Sequence, residues 1–220
     1  MENVSQRVIR VIISKTRDPE LNLTKEKTIF FEVENRISPD ILFFWINDEC
    51  LVSGQIRSAK YGWYNQKLAD EMKIPVYKRF TGGGVVYHDL GNLNWSFFVR
   101  TNGGFRSPEK IFREYSKFIT ESLKQLGLDA YFAPPNRIEV AGKKVSGMAA
   151  RSGLKCLLVH GTLLLNSNLE RLNMLCIPPP DGPEVANLSQ WLPNINSEMV
   201  IKAIVSTMQK NDYQVDQSPS

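Results

Sequence analysis

Apolar residues along this chain change their period several times, and each change marks an element. Residues 8–14 are dense in β-branched side chains and open the chain as a strand. Asp18-Pro19 marks a turn, after which residues 22–34 place Leu23, Lys27 and Phe30 or Phe31 near helical spacing. Residues 41–47 and 50–54 are two short apolar runs around Asp48-Glu49, the pattern of a hairpin. Residues 61–72 read as a polar amphipathic helix, and residues 75–78 as a strand that enters three consecutive glycines. Residues 85–87 and 94–100 continue the sheet.

After a Gly-containing loop at 101–107, Ser107-Pro108-Glu109 opens the longest helix, which runs to about Leu126. Ser107 can cap it and Pro108 suits its first turn. Ile111, Tyr115, Phe118, Ile119 and Leu123 form its buried stripe. Residues 129–132 are a short strand, and residues 137–140 and 144–149 form a hairpin turning at Ala141-Gly142. Residues 156–166 are a long apolar strand interrupted by His160-Gly161. A short helix at 169–175, a proline-rich loop at 177–185 and a helix at 199–210 follow, and the chain is expected to fray from Gln214 onward. Strands and helices mix without strict βαβ alternation. The expectation is an α+β domain, with a mixed, largely antiparallel sheet and helices packed on it.

Composition narrows the class only a little. A chain of 220 residues suits one large domain, and 42% hydrophobic with 23% charged residues is ordinary for a soluble globular protein. The net charge of +4 is too mild to argue for nucleic acid, and it suits an anionic cofactor or an acidic partner. Cys50, Cys156 and Cys176 are an odd count without CxxC spacing, which argues for reduced thiols rather than a disulfide frame or zinc. The N-terminus has no signal-peptide layout and no apolar run approaches ~18 residues, so a cytoplasmic protein without a membrane span is expected.

Candidate chemistry gathers in three clusters. In RFTGGGVVYHDLGNLNWSF, Gly82, Gly83 and Gly84 can let the backbone approach a ligand, and their N–H groups can form an anion-binding nest. Arg79 adds a forked cation upstream, and His88, Asp89, Asn92 and Asn94 crowd polar groups downstream. The segment reads as a phosphate-cradling hairpin. It is neither a Walker loop nor a dinucleotide fingerprint, because no Gly-Lys-Ser/Thr follows and the glycines are contiguous. In the second cluster, strict alternation puts Lys144 and Ser146 on one strand face and Val145 on the other. An inward lysine is costly unless an anion meets it. In the third, His160-Gly161-Thr162 interrupts an apolar strand where something can approach closely.

Taken together, these segments resemble the lipoate–protein ligase A family, within the superfamily that also holds biotin ligases and octanoyltransferases. The resemblance runs from DPELNLTKEKTIF through ILFFWINDECLVSGQ as an opening hairpin, KRFTGGGVVYHDLGNLNWSF, NRIEVAGKKVSGMAAR and HGTLLLNSNLERL to VANLSQWLP. It implies a biotin/lipoate ligase-like catalytic domain over residues 1–213, a flexible tail at 214–220 and no C-terminal accessory domain. The implied reaction joins lipoate and ATP to lipoyl-adenylate, then moves the lipoyl group to a lysine of a carrier domain. Such carriers are the lipoyl domains of 2-oxoacid dehydrogenase complexes or the glycine cleavage H protein; neither nucleic acid nor membrane takes part.

In that scheme Lys144 is the catalytic lysine, holding the carboxylate and α-phosphate. Arg79, the Gly84, Val85, Val86 and Tyr87 backbone, His88, Asp89, Asn92 and Asn94 are implied for ATP and adenylate. Gly82, Gly83, Ser146, Gly147, His160, Gly161 and Thr162 join Lys144 around lipoate, with Trp45, Phe97 or Val159 as lining of the acyl slot. Mg²⁺ is expected on the phosphates, with no protein ligands assigned. The chain departs from the family at Lys78, usually Arg, and at Arg137, where an Asp often follows the Asn. A separate polypeptide is the implied source of any accessory function. The alternatives are a lipoyl-adenylate transferase or half of a two-chain ligase, an octanoyltransferase, which would use a cysteine, and a non-catalytic paralogue that binds lipoate or a carrier.

Overall fold

Every side chain of the run Asp40–Trp45 is buried. A strand can achieve this only in a sheet covered on both faces. The computed structural model, which describes residues 7–55, 63–103, 106–178 and 182–217, shows that sheet. In chain order the elements are β1 (Arg7–Ile13), α1 (Pro19–Glu34), β2 (Asp40–Trp45), β3 (Cys50–Gln55), α2 (Gln66–Glu71), β4 (Val76–Gly82), β5 (Val85–His88), β6 (Asn92–Arg100) and α3 (Pro108–Gln125). There follow β7 (Ala130–Ala133), β8 (Arg137–Val140), β9 (Lys143–Ser152), β10 (Cys156–Leu164), α4 (Leu169–Leu175), α5 (Ser197–Lys210) and β11 (Tyr213–Asp216).

Eight strands make the large sheet in the order β11-β1-β2-β6-β10-β9-β8-β7, and β4-β3-β5 make a small one. The pairs from β2 through β7 are antiparallel, and β1 runs parallel to both its neighbours. The expected α+β class and largely antiparallel sheet are therefore found. Alternation decides which face each side chain joins. Leu93, Trp95, Phe97 and Val99 of β6 pack with Leu157, Val159 and Leu163 of β10 against Ile111, Tyr115, Ile119 and Leu123 of α3 and Val200 and Ile204 of α5. Ile41, Phe43, Trp45, Phe98 and Leu158 take the other face, against Ile29, Phe30 and Val33 of α1.

Several expectations are corrected. Asp18-Pro19 is not a free turn but the start of α1. The Asp18 side chain accepts from the N–H groups of Glu20 at 2.8 Å and Leu21 at 3.1 Å, and Pro19 fills the first turn. The buried face of α1 is Asn22, Glu26, Ile29, Phe30 and Val33, so Lys27 points to solvent. A hydrophobic pattern misses a face whose first two positions are polar. The runs around Asp48-Glu49 do not form a hairpin: β2 lies in the large sheet and β3 in the small one.

The polar helix expected at 61–72 is shorter, Gln66–Glu71, because Asn65 caps it by accepting from the Leu68 N–H; positions 61 and 62 lie outside the described residues. The chain does not fray at Gln214 either. Residues Tyr213–Asp216 pair in parallel with β1, and Arg10 meets Asp216 at 3.2 Å. Among the described residues no helix is long and apolar enough to cross a membrane.

Because α1 carries two polar side chains into the interior, its starting point matters beyond its own stability. Asp18→Ala is expected to cost about 1 kcal/mol, read as a lower urea midpoint at unchanged slope.

Candidate functional site

The α1 face of the large sheet is apolar at one end and polar at the other. Period-two alternation puts Asn94 and Ser96 of β6 and His160 and Thr162 of β10 on this face, paired as Ser96↔His160 and Asn94↔Thr162. The small sheet closes over them and leaves a cavity of about 400 Å³. That volume suits a small-molecule ligand. Leu23, Trp45, Val52, Met148, Leu164, Leu172, Ile177 and Val185 supply apolar walls. Four lining residues hold a buried polar atom with no partner among the described residues: Glu26 Oε2, Trp45 Nε1, His88 Nε2 and Ser146 Oγ. Buried polar atoms are nearly always paired, so this concentration marks a place where a ligand supplies the partners.

The three glycines join β4 to β5, but β3 lies between those strands, so the segment crosses over β3 instead of turning a hairpin. Arg79 holds it there. Its guanidinium donates to the carbonyls of Val52 at 3.0 Å, Gly82 at 2.9 Å and Gly84 at 3.0 Å, and through Nε to Thr81 Oγ1 at 3.0 Å. The implied nucleotide contact is thus already committed to the loop. Burial pushes the guanidinium down to about 10, against the opposing pull of Glu26. Gly83 sits at φ +100°, and Gly54 allows the crossing, since a Cβ there would lie 2.4 Å from the Gly83 carbonyl oxygen.

Thr81 Oγ1 lies 2.9 Å from His160 Nε2, His160 Nδ1 lies 2.7 Å from Glu26 Oε1, and Ser96 Oγ donates to the same Glu26 oxygen at 2.6 Å. One chain of polar contacts therefore joins the small sheet, the large sheet and α1 beneath the cavity. Asn94 donates to the Trp45 carbonyl at 3.3 Å, and Trp45 stacks on Phe43 at 4.7 Å.

Lys144 and Ser146 both line the cavity while Val145 is buried in the core, as alternation requires. A bulge helps: Ile138 pairs with Ser146 and Glu139 with Lys144, which leaves Val145 as an extra residue. The Lys144 backbone is clipped on its other side, donating to the Glu184 carbonyl and accepting from the Ala186 N–H. Its side chain folds over Gly147, where a Cβ would lie 3.3 Å from both Cε and Nζ. Among the described residues no carboxylate lies within ion-pair reach of Nζ. Burial, then the positive charge of Arg137, lowers the ammonium from its ordinary range. Arg137 is itself bound at 2.5 Å to Glu139, so the charge reversal at that position is balanced locally.

His88 is buried, and its Nδ1 lies 3.0 Å from Asn47 Nδ2. Burial, with Arg79 and His160 nearby, pushes its imidazole down to about 3, so it is neutral.

Of the residues singled out from the sequence, Arg79, Gly83, Gly84, Val85, Val86, Tyr87, His88, Asn94, Lys144, Ser146, Gly147, His160, Gly161 and Thr162 meet in this cavity. Gly82, Asp89 and Asn92 do not line it. The Asp89 carboxylate organises a neighbouring loop, accepting from the Gly91 and Asn168 N–H groups at 2.9 and 2.7 Å. Asn92 donates to the Tyr87 carbonyl at 3.4 Å. Trp45 lines the cavity, but Phe97 and Val159 alternate to the α3 face and lie in the core. Glu26, Asn47 and Gly54 are not singled out by the sequence, and Cys176 enters there only as a reduced thiol. A glutamate and an asparagine on a buried helix or turn carry no periodic signal, although Gly54 directly after an apolar strand run could have been read as a close approach.

Comparison with known proteins agrees with this geometry. Residues 18–209 match the lipoyl protein ligase A/B catalytic domain. Lipoate-protein ligase A of Psychrobacter cryohalolentis is 32% identical over 219 residues, covering 92% of this chain and 60% of that protein. This chain therefore spans about 60% of the length of that relative. A lipoate-protein ligase A structure bound with ATP superposes with a TM-score of 0.81 at 22% identity, covering 98% of this chain and 90% of its own. The bi-partite lipoate protein ligase of Thermoplasma acidophilum, described with its lipoyl domain, gives 0.78 at 23% identity, with 97% and 88% covered. At these identities the two structures establish the fold.

The depressed His88 imidazole makes a prediction about acid stability. The unfolded chain takes up this proton near the ordinary 6.5, the folded chain only near 3. Its contribution is thus fully present above 6.5 and is lost as pH falls towards 3, at up to about 1.4 kcal/mol per pH unit. His88→Gln is expected to flatten that part of the pH dependence, measured from urea midpoints between pH 7 and 4. An unchanged slope would place the acid sensitivity on other groups.

Proposed function

The chain belongs to the lipoyl protein ligase A/B catalytic-domain family, and we propose that its cavity activates lipoate with ATP and transfers the lipoyl group to a carrier lysine. The observation that carries this reading is Lys144: a half-buried cation without a carboxylate partner among the described residues, facing a cavity in which four lining polar atoms lack a hydrogen-bond partner too. A site with that charge deficit favours an anionic ligand, and lipoate and ATP both bring one.

The chemistry assigned to the site has two steps. A lipoate carboxylate oxygen attacks the α-phosphorus, the bond from that phosphorus to the bridging oxygen breaks, and pyrophosphate leaves. The neutral carrier lysine amine then attacks the acyl carbonyl, the bond from the acyl carbon to the phosphate oxygen breaks, AMP leaves, and the nitrogen gives up a proton to solvent as the amide forms. In both steps negative charge grows on oxygens near Lys144, and a fixed cation in a site poor in water stabilises it more than water would. The apolar walls around Trp45, Leu23 and Met148 take the acyl chain. Gly84, Val85 and Val86 are assigned to the nucleotide. Among the described residues no group of three or more His, Cys, Asp and Glu converges, so Mg²⁺ is assigned to the phosphates. The carriers are lipoyl domains of 2-oxoacid dehydrogenase complexes or the glycine cleavage H protein, in the cytoplasm, and a separate accessory polypeptide is the partner to test for the first step.

Intact-mass spectrometry of an apo lipoyl domain decides the matter. One tube holds this protein, lipoate and Mg-ATP; the other holds preformed lipoyl-adenylate. Modification in both is expected. Modification only from the adenylate would assign transfer alone to this chain, with a partner needed for activation, and none in either tube would overturn the reading. Lys144→Ala is expected to lower adenylation by at least about 100-fold. It should fold as well as the parent, because an unpartnered half-buried ammonium is a cost to stability. Near-normal turnover in that variant would remove Lys144 from the mechanism. Gly83→Val places a Cβ 2.8 Å from Arg79 Nη2 at a positive φ, and is expected to weaken lipoate binding by about tenfold or more in calorimetry.

A further inference from the structure

Four side chains form a line of hydrogen bonds that ends at the cavity, and only His88 belongs to the cavity wall. Ser14 Oγ donates to Asn22 Oδ1 at 2.6 Å. Asn22 Nδ2 faces Thr16 O at 3.1 Å, Ile46 O at 3.4 Å and Asn47 Oδ1 at 2.9 Å. Asn47 Nδ2 meets His88 Nδ1 at 3.0 Å.

The line has one direction. Turning the Asn22 amide over would aim its oxygen at two main-chain carbonyls, which can only accept. Asn22 must therefore present N–H to Asn47 Oδ1, and Asn47 must present N–H to His88 Nδ1. An imidazole that accepts at Nδ1 and is neutral carries its proton on Nε2. That Nε2 is buried and has no partner among the described residues, in a residue that is 3% exposed. An unmatched donor of this kind costs free energy, and a ligand that accepts from it recovers that cost.

We propose that Asn22 and Asn47 are positioning residues that hold His88 as a fixed, uncharged Nε2–H donor to an anionic oxygen of the bound ligand, either the acid's carboxylate or a nucleotide phosphate. The choice of ligands rests on the ligase reading above; the proton's place rests on the line of hydrogen bonds alone. The same geometry removes His88 from any role as a metal ligand, since an N–H offers no lone pair.

The test is nitrogen-15 NMR of the imidazoles at pH 7. The chain has two histidines, so signals lost in His88→Gln identify the residue. An unprotonated Nδ1 and a protonated Nε2 are expected in the free protein. Lipoate alone and a Mg-bound non-hydrolysable ATP analogue alone are then added, and the arm that shifts the Nε2–H names the oxygen. A proton on Nδ1, a doubly protonated ring, or binding of both ligands with no shift would overturn the proposal.

Asn47→Asp offers only acceptors to Nδ1. It is expected to move the proton to Nδ1 and to weaken the responding ligand about tenfold. Should that variant not fold, His88→Gln and His88→Leu decide. The glutamine amide nitrogen can occupy the Nε2 position, so His88→Gln should keep affinity within about threefold while His88→Leu loses about tenfold. Equal affinities in those two variants would count against the donor. A failed ligase reading gives a different pattern: the wild type modifies no carrier, yet its free-state tautomer is still measurable.

Discussion

The guanidinium of Arg79 is the point from which the site is built. It gathers carbonyls from β3 and from both ends of the glycine segment, and it fixes Thr81, whose hydroxyl meets His160 and through it Glu26. Burying an arginine costs several kcal/mol unless its donors are matched and a counter-charge is near. Here three carbonyls and a hydroxyl match the donors, and Glu26 supplies negative potential. The arrangement gives the loop one shape. A chain of contiguous glycines has high backbone freedom, and without this clamp it would lose that freedom only on ligand binding.

The polar contacts beneath the cavity have the same logic. Ser96, Glu26, His160 and Thr81 come from β6, α1, β10 and β4, and each would be an expensive burial alone. Joined, they order the meeting of two sheets and a helix. Around the same cavity, Glu26 Oε2, Trp45 Nε1, His88 Nε2 and Ser146 Oγ are left without a hydrogen-bond partner among the described residues. The large apolar core on the α3 face supports that cost, since it is free of the site's demands.

The periodic signals in the sequence were sufficient for most of the frame. The α3 stripe of Ile111, Tyr115, Ile119 and Leu123 and the alternation of Lys144, Val145 and Ser146 are local consequences of repeat geometry, and both appear as read. What was not legible depends on pairing between distant segments. Whether residues 41–54 form one hairpin or feed two sheets is decided by β6 and β5, which lie later in the chain. Phe97 and Val159, named as lining of the acyl slot that the resemblance implies, alternate to the opposite face of the sheet. Arg79 was read as reaching outward to a phosphate, because spacing reveals a cation but not the carbonyls around it. From Gln214 onward the sequence has the look of a tail, because the four-residue strand Tyr213–Asp216 gains its meaning only from β1.

Cys176 is the one cysteine among the described residues that line the cavity. It lines the cavity near Lys144, so position alone would permit a thiol to carry an acyl group. A thiol nucleophile needs a lowered pKa, from a nearby cation or a helix N-terminus. Burial instead pushes Cys176 up to about 12, and the charge of Lys144 offsets only part of that. Cys50 and Cys156 are raised by burial in the same way. Lys144 in turn has lost part of its own solvation without acquiring a carboxylate. The cavity thus combines a half-buried lysine that has no carboxylate partner among the described residues with a half-buried thiol held in its protonated form, and a charge of that kind favours oxygen anions.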